Sequence, residues 1–316
     1  MRTQVFLWIS LISAALMSCH PAPADEVDVQ PDTDLGPRAL GSEQAIRAVR
    51  EQNFLPASMP SPEPAEWSPQ TSTPGLRQPA PARYQEWNSV GPGPLQVPIL
   101  LYHHVDPERP AGSFNVDPEQ FEEQIRALVK GGFQSIPTLA LREAILHGAP
   151  MPPKPVVITF DDGNQTDYTY AFPILQEYGF QAVVYMVANR LGSTGFLSAA
   201  QLSELSAAGW EIGSHSMTHA DLATLSGREL GMQVVGSKAQ LEQNLRVEIT
   251  SFAYPYGSFS PEVAERVRSA GYQTAMGLGM STLQGSGNLY YLSRIPVEGS
   301  WSLDQFIRAV GRVAGR

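Results

Sequence analysis

The stretch "VVITFDDGNQTDY" (residues 156–168) runs from an apolar segment straight into two carboxylates and a glycine. Val156 to Phe160 is too short for a helix and too continuous for a strand with one wet face, so it reads as a strand buried in a parallel sheet. A helical pattern follows within a few residues, in "YTYAFPILQEYG", and the whole reads as one strand–turn–helix unit. The two acids pose a chemical question. Adjacent carboxylates raise each other's cost of ionisation unless a cation or hydrogen bonds hold them. An Asp-Gly turn closing a strand is the bland account. Half of a site is the other, and the rest of the chain has to supply the partners.

The same unit recurs from Val97 onward. "VPILLYHHV", "FQSI", "QAVVYMV", "WEIGSH", "SFAYP", "YQTAM" and "LSRIPV" read as strands; "DPEQFEEQIRALVKGG", "TLALREAILHG", "SAAQLSELSAAG", a long segment near 226–245, "SPEVAERVRSAG" and "SLDQFIRAV" read as helices. In the first of these helices Asp117 is placed to cap, Pro118 to open the first turn and Gln120 to complete a capping box. Such alternation implies parallel βα units, and about seven of them with continuous apolar strands suit an α/β barrel better than an open sheet. No glycine-rich phosphate fingerprint follows the first strand, which argues against a nucleotide cofactor.

The N-terminal part has a different texture. Arg2 precedes an apolar run from Val5 to Met17, too short to span a bilayer and typical of a signal peptide over residues 1–19. Its ending "LMSC" resembles the lipobox of bacterial lipoproteins, which implies lipidation at Cys19, a membrane anchor and an exported protein. Cys19 is the only cysteine, so no intramolecular disulfide can form. Residues 20–94 hold 14 of the 27 prolines, a density that favours extended, solvated chain, and are expected to be a disordered tether to a domain at 95–316. A short helix over 42–54, capped by Ser42, is the one element expected within it. The net charge of −10 without a basic run speaks against nucleic acid or anionic lipid as partner and leaves a neutral polymer open.

In an α/β barrel the loops at the carboxyl ends of the strands gather at one mouth, where active sites form. The strand ends here deliver His103 and His104, then Asp161 and Asp162, then His215 with His219 close behind, then Tyr256, then Arg294. Four of the six histidines lie at these ends. The spacing in "HSMTH" aligns two imidazoles if the segment makes a helical turn, and imidazole is a common ligand for divalent metals. With a carboxylate from a neighbouring strand end the set becomes His2Asp, leaving positions open for water as catalytic sites do. Neighbouring residues leave a strand tip in different directions, so one of the two acids can bind a metal while the other faces a water.

"TFDDG", "HSMTH" and "FAYPYG", in this order, resemble the polysaccharide deacetylase family, the NodB-homology domain of carbohydrate esterase family 4. The resemblance implies a distorted (β/α)7 barrel and a metal-dependent hydrolase that removes N-acetyl groups from a glycan. It implies that Asp161 is the general base, that Asp162, His215 and His219 hold the metal, usually Zn2+ with Ni2+ or Co2+ as alternatives, and that the backbone N–H of Tyr256 is the oxyanion donor. Two departures stand out. The third motif reads Phe252, Ala253, Tyr254 where many members carry an arginine, and Arg294 is the best substitute. No histidine follows His219, so the general acid falls to His103 or His104, with His103 favoured and His104 left to face a helix or make a structural hydrogen bond. That layout resembles the subgroup acting on poly-β-1,6-N-acetylglucosamine. The expected partner is therefore an acetylated polysaccharide outside the cytoplasm. Peptidoglycan, chitin-type oligomers and O-acetylated xylan remain alternatives, as does a glycan-binding lipoprotein without turnover. Trp87, Trp210 and Trp301 are not assigned to the site.

Overall fold

The structure, a computed structural model, describes residues 87–112 and 114–311. The signal segment, Cys19 and the segment 42–54 lie outside the described residues, as does most of the proline-rich stretch. Asn88–Ser89 pairs antiparallel with Pro150–Met151, so this part of the stretch assigned to the tether is structured; Leu95–Gln96, at the start of the domain, pairs with Leu283–Gln284.

The principal sheet consists of β1 (Ile99–Tyr102), β2 (Gln134–Ser135), β3 (Pro155–Phe160), β4 (Val183–Met186), β5 (Glu211–Ser214), β6 (Ser251–Ala253), β7 (Thr274–Met276) and β8 (Ile295–Pro296). All pairings in it are parallel, and its order is β7-β6-β5-β4-β3-β1-β8, with β2 beside the start of β3. The sheet curls until its two edges nearly meet: Met276 at the end of β7 bridges Leu292, just ahead of β8. The expected distorted barrel of βα units is what forms, and the alternating elements read in the sequence occupy it.

The period of the strands decides which side chains face the barrel interior. Val156, Ile158 and Phe160 of β3 pack outward against helices, whereas Val157 belongs to a separate cluster with Ile99, Val183, Tyr185 and Met276. In that register Thr159 and Asp161 follow Val157 on the inner side, which carries Asp161 to the mouth. Outside, α1 (Pro118–Lys130) buries Phe121, Ile125 and Leu128, and Trp210 stacks on Phe160 at 5.5 Å, a core role for that tryptophan. Asp117 caps α1 as expected, but Gln120 does not complete a capping box. Its amide donates instead to the Trp301 carbonyl, 2.6 Å away, tying α1 to the approach of the last helix, Leu303–Gly311. The long helix expected near 226–245 is present with an interruption: a π-helical turn at Met232–Gly236 follows Gly231, and two glycines flanking the turn are weak helix formers.

One glycine is required by the interior. A Cβ built on Gly213 of β5 would lie 2.4 Å from the Tyr185 ring and 2.8 Å from Ser251 Oγ. Gly213→Ala is expected to destabilise the domain by roughly 1–3 kcal/mol through overpacking, read as a lower urea midpoint at unchanged slope; an unaltered midpoint would show that the interior is slack.

Candidate active site and metal centre

The strand ends converge on a cavity of about 840 Å³ lined by His103, His104, Asp161, Asp162, His215, His219, Tyr256 and Arg294 among others. All seven residues assigned to catalysis or metal binding therefore share one space.

Asp161 and Arg294 form its floor. Both are almost fully buried, and Arg294 Nη1 and Nη2 donate to Asp161 Oδ1 and Oδ2 at 2.7 and 2.8 Å. Arg294 Nε donates to the Gly277 carbonyl at 3.1 Å and Nη1 also reaches Thr159 Oγ1, which in turn donates to the Leu100 carbonyl. The guanidinium is thus anchored on β1, β3 and the end of β7 at once. Burial pushes the Asp161 carboxyl up, but Arg294 and, less strongly, His215 and His103 outweigh it, leaving the pKa lowered to about 2. Asp161 is consequently an anion aimed by a rigid fork.

Asp162 leaves the strand differently. Its φ is +74°, and Ser216 (+65°), His219 (+64°) and Tyr256 (+60°) are also left-handed. Among the described residues these are four of the five non-glycine residues with positive φ, a concentration of backbone strain typical of functional sites. The condition under which the spacing in "HSMTH" would align the two rings is not met, since the segment makes no helical turn. His215 lies just beyond β5, and a bend with two left-handed residues, closed by His219 N–H donating to Ser216 Oγ at 2.9 Å, brings His219 round to it. The two rings stand edge to face at 4.9 Å. His215 Nδ1 is 2.8 Å from the Ala253 carbonyl, so that nitrogen carries the proton and Nε2 presents its lone pair to the cavity.

Asp162, His215 and His219 each offer a ligand atom, and these atoms lie within 4.8 Å of one another. Asp162 Oδ1 and His219 Nε2 are 3.4 Å apart, close to the ~3.3 Å edge of a tetrahedron built on zinc–ligand bonds of about 2.0 Å. Two imidazole nitrogens and one carboxylate facing an open cavity fit a divalent transition metal with free positions.

His103 and His104 separate by environment. Burial pushes the His103 imidazole down, while Asp161 and Asp162 act on it in the opposite sense, placing it among the charges of the site. His104, also lowered by burial, responds next to Arg109, and its Nδ1 is buried without a hydrogen-bond partner among the described residues. The structural hydrogen bond expected of His104 is not made at that atom. The Tyr256 turn is closed by Gly257 N–H to the Tyr254 carbonyl and Ser258 N–H to the Pro255 carbonyl, neither of which uses the Tyr256 N–H.

Several participants carry no sequence signal. Arg190 Nη1 donates to Asp162 Oδ1 at 2.9 Å. Asn164 Nδ2 donates to the His103 carbonyl at 2.8 Å, lashing the first and third strand ends together. Phe114, 64% exposed, stands edge-on to His103 at 4.8 Å. Asp167 is wholly buried with neither carboxylate oxygen partnered among the described residues, and burial followed by Asp162 pushes its pKa well up.

The family model for polysaccharide deacetylases matches residues 148–275, which hold both acids and both histidines of the cluster. Over these residues the chain is similar to polysaccharide deacetylases. Among curated proteins it is similar to YxkH of Bacillus subtilis, named for polysaccharide deacetylation, at 27% identity over 217 residues covering 67% of this chain and 75% of that one. It is also similar to the poly-β-1,6-N-acetyl-D-glucosamine N-deacetylase of Staphylococcus aureus, at 28% identity covering 58% and 68%. Among solved structures the deacetylase PplD of Streptococcus pyogenes shares the fold, with TM-score 0.62, 23% identity, and coverage of 69% of this chain and 99% of that one.

The depressed Asp161 carboxyl makes the domain's acid response specific. A folded-state pKa of about 2 against an ordinary 3.8 contributes stability that is complete above pH 4 and is lost as pH falls through 2. Removing one partner of a buried ion pair leaves an uncompensated charge, so Arg294→Met is expected to cost about 3–5 kcal/mol at pH 7. The loss should shrink in acid, where the variant's Asp161, buried without its arginine, takes up a proton and the uncompensated charge disappears. Chemical denaturation of both proteins at pH 7 and pH 3 checks this; an equal loss at the two values would mean that Arg294 acts through packing alone.

Proposed function

We propose that the domain is a metal-dependent N-deacetylase acting on an N-acetylglucosamine-containing polysaccharide outside the cytoplasm. The observation that carries this is the division of labour at one strand tip: Asp161 is clamped by Arg294, while the next residue, Asp162, faces two imidazoles. The export part of the reading rests on the signal-like N-terminus, and the choice of sugar on the named substrate of the Staphylococcus aureus relative.

A divalent cation held by Asp162, His215 and His219, most simply Zn2+, would supply Lewis acidity, polarising the acetyl carbonyl and acidifying an attacking water. The residues of the chain do the rest. Asp161 is too weak a base to deprotonate ordinary water well, because Arg294 stabilises its anion; what the clamp provides is orientation and a fixed charge state. Asp161 accepts the proton as water adds to the carbonyl carbon. The oxygen that becomes negative is met by the Tyr256 N–H, a type of contact worth about 3 kcal/mol in the transition state. The carbon–nitrogen bond then breaks, and the amine needs a proton. His103, held neutral by burial and facing both carboxylates, can deliver one only after receiving it, so it acts as a relay between the base side and the leaving nitrogen. Phe114 and Tyr256, 64% and 65% exposed on the cavity wall, offer the apolar faces on which pyranose rings pack.

Acetate release from a panel of acetylated glycans, with and without chelator, tests the reading. The wild-type domain should release acetate from an N-acetylglucosamine polymer and stop with chelator. Asp161→Asn should lose about 10²–10⁴-fold in rate, the usual range for a general base, with zinc binding retained. A domain that binds no divalent metal and deacetylates nothing in the panel would overturn the proposal.

The two histidines give a separate expectation. His103→Ala should reduce kcat at least tenfold more than His104→Ala, since His103 is acted on most strongly, after burial, by Asp161 and Asp162, whereas His104 answers first to Arg109. Equal and modest losses would remove His103 from the proton path.

A further inference from the structure

Arg190 is a cation placed where a metal site should least welcome one. It ends a short 3-10 turn, Ala188–Arg190, after β4. Its Nη1 donates to Asp162 Oδ1 at 2.9 Å, and that same oxygen lies 3.4 Å from His219 Nε2. The oxygen facing the histidines, and not its outer partner, is therefore the one that Arg190 holds. The contact is built into the fold. The guanidinium stacks over Phe196, 5.0 Å from the ring centroid. The loop carrying Phe196 is pinned to the Asp-Asp-Gly turn by an Asn164–Phe196 bridge, by Leu197 N–H to the Gly163 carbonyl, and by Gln165 N–H to the Gly195 carbonyl. Arg190 side-chain exposure is 35% and that of Asp162 is 18%, so water screens the pair only partly.

We propose that Arg190 is a positioning residue that holds the Asp162 carboxylate ready in the metal-free domain and sets the site's affinity for a divalent cation. This rests on the reading that Asp162, His215 and His219 are the ligands. Two opposed effects follow from one contact. Without a metal, Arg190 neutralises a carboxylate that stands beside Asp161 and acts on the buried Asp167. With a metal, Arg190 repels the incoming cation and withdraws electron density from its carboxylate ligand. A merely structural arginine would show the first effect without the second.

The test compares wild type with Arg190→Met and Arg190→Lys. Each is melted in chelator and in zinc, and zinc affinity is measured by competition with a chromogenic chelator. In chelator, Arg190→Met should melt below wild type. In zinc, its thermal gain should exceed that of wild type, because the expected binding constant is about tenfold tighter, and tighter binding to the native state raises stability. Arg190→Lys, which keeps the charge, should stay within about threefold of wild-type affinity. Equal or weaker zinc binding by Arg190→Met would overturn the inference. If Arg190→Met does not fold, Arg190→Gln takes its place in the same measurement with the same expected direction. A wild-type domain that neither binds nor is stabilised by zinc would sink the metal reading itself, a different outcome from a wild type that binds while the variants match it.

Discussion

The ion pair between Asp161 and Arg294 sits where the barrel's inner register reaches the mouth, and much of the site is arranged around it. Two charges with almost no exposure are tolerated because four of the five guanidinium N–H groups are matched: two parallel bonds to the carboxylate, one to the Gly277 carbonyl, one to Thr159. Such a pair contributes little net stability compared with an apolar replacement of both residues, yte losing either one alone is costly. What it secures is specificity of structure. β8 must sit beside β1 with Arg294 pointing inward, or the anion on β3 is left alone in a dry interior. The nearly closed seam between β7 and β8 is the consequence, since Gly277, just past β7, supplies the carbonyl that holds Nε.

This arrangement also changes the account of how two carboxylates share one strand tip. A divalent cation was the simplest device that sequence chemistry could offer. In the structure each acid has its own arginine, Arg294 for Asp161 and Arg190 for Asp162, so the tip is charge-balanced before any metal arrives. The left-handed backbone at Asp162 turns the second carboxylate away from the first. Strain in one residue thus separates two charges and directs each to a different task.

The sequence carried the barrel and the convergence of Asp161, Asp162, His215 and His219 because both depend on local regularities. Buried parallel strands are written as continuous apolar runs, and a strand's carboxyl end is a place that can be counted to. Arg294 could be nominated because the apolar pattern around it reads as a strand, although in the structure it stands just ahead of β8 and does not close a strand. Arg190, Asn164 and Phe114 could not, since they reach the site from loops whose paths depend on long-range contacts such as the Asn164–Phe196 bridge. That "HSMTH" makes no helical turn, yet still brings its two imidazoles together, has a related reason. A spacing of four is compatible with a helix, but Ser216 and His219 adopt left-handed conformations that no propensity favours, held by the Ser216 hydroxyl and the packing of His219 against Tyr256 at 4.7 Å. Gln120 shows the same competition on a small scale, giving up its own helix terminus for the Trp301 carbonyl.

Chemistry on an amide needs an electrophile and a nucleophile activated at the same moment, without the activating groups neutralising each other. Arg294 keeps Asp161 from drifting toward the histidines: His215 Nε2 is 3.7 Å from Asp161 Oδ2, near enough for a carboxylate without a clamp to take that imidazole as its own partner. With the clamp in place, His215 is held from the other side by the Ala253 carbonyl and keeps its lone pair for the cavity. The separation of Asp161 from the cluster of Asp162, His215 and His219 therefore depends on two contacts made behind the site, one to an arginine just ahead of β8 and one to a backbone oxygen on β6. Neither needs to touch a substrate, and each settles which groups remain available to one.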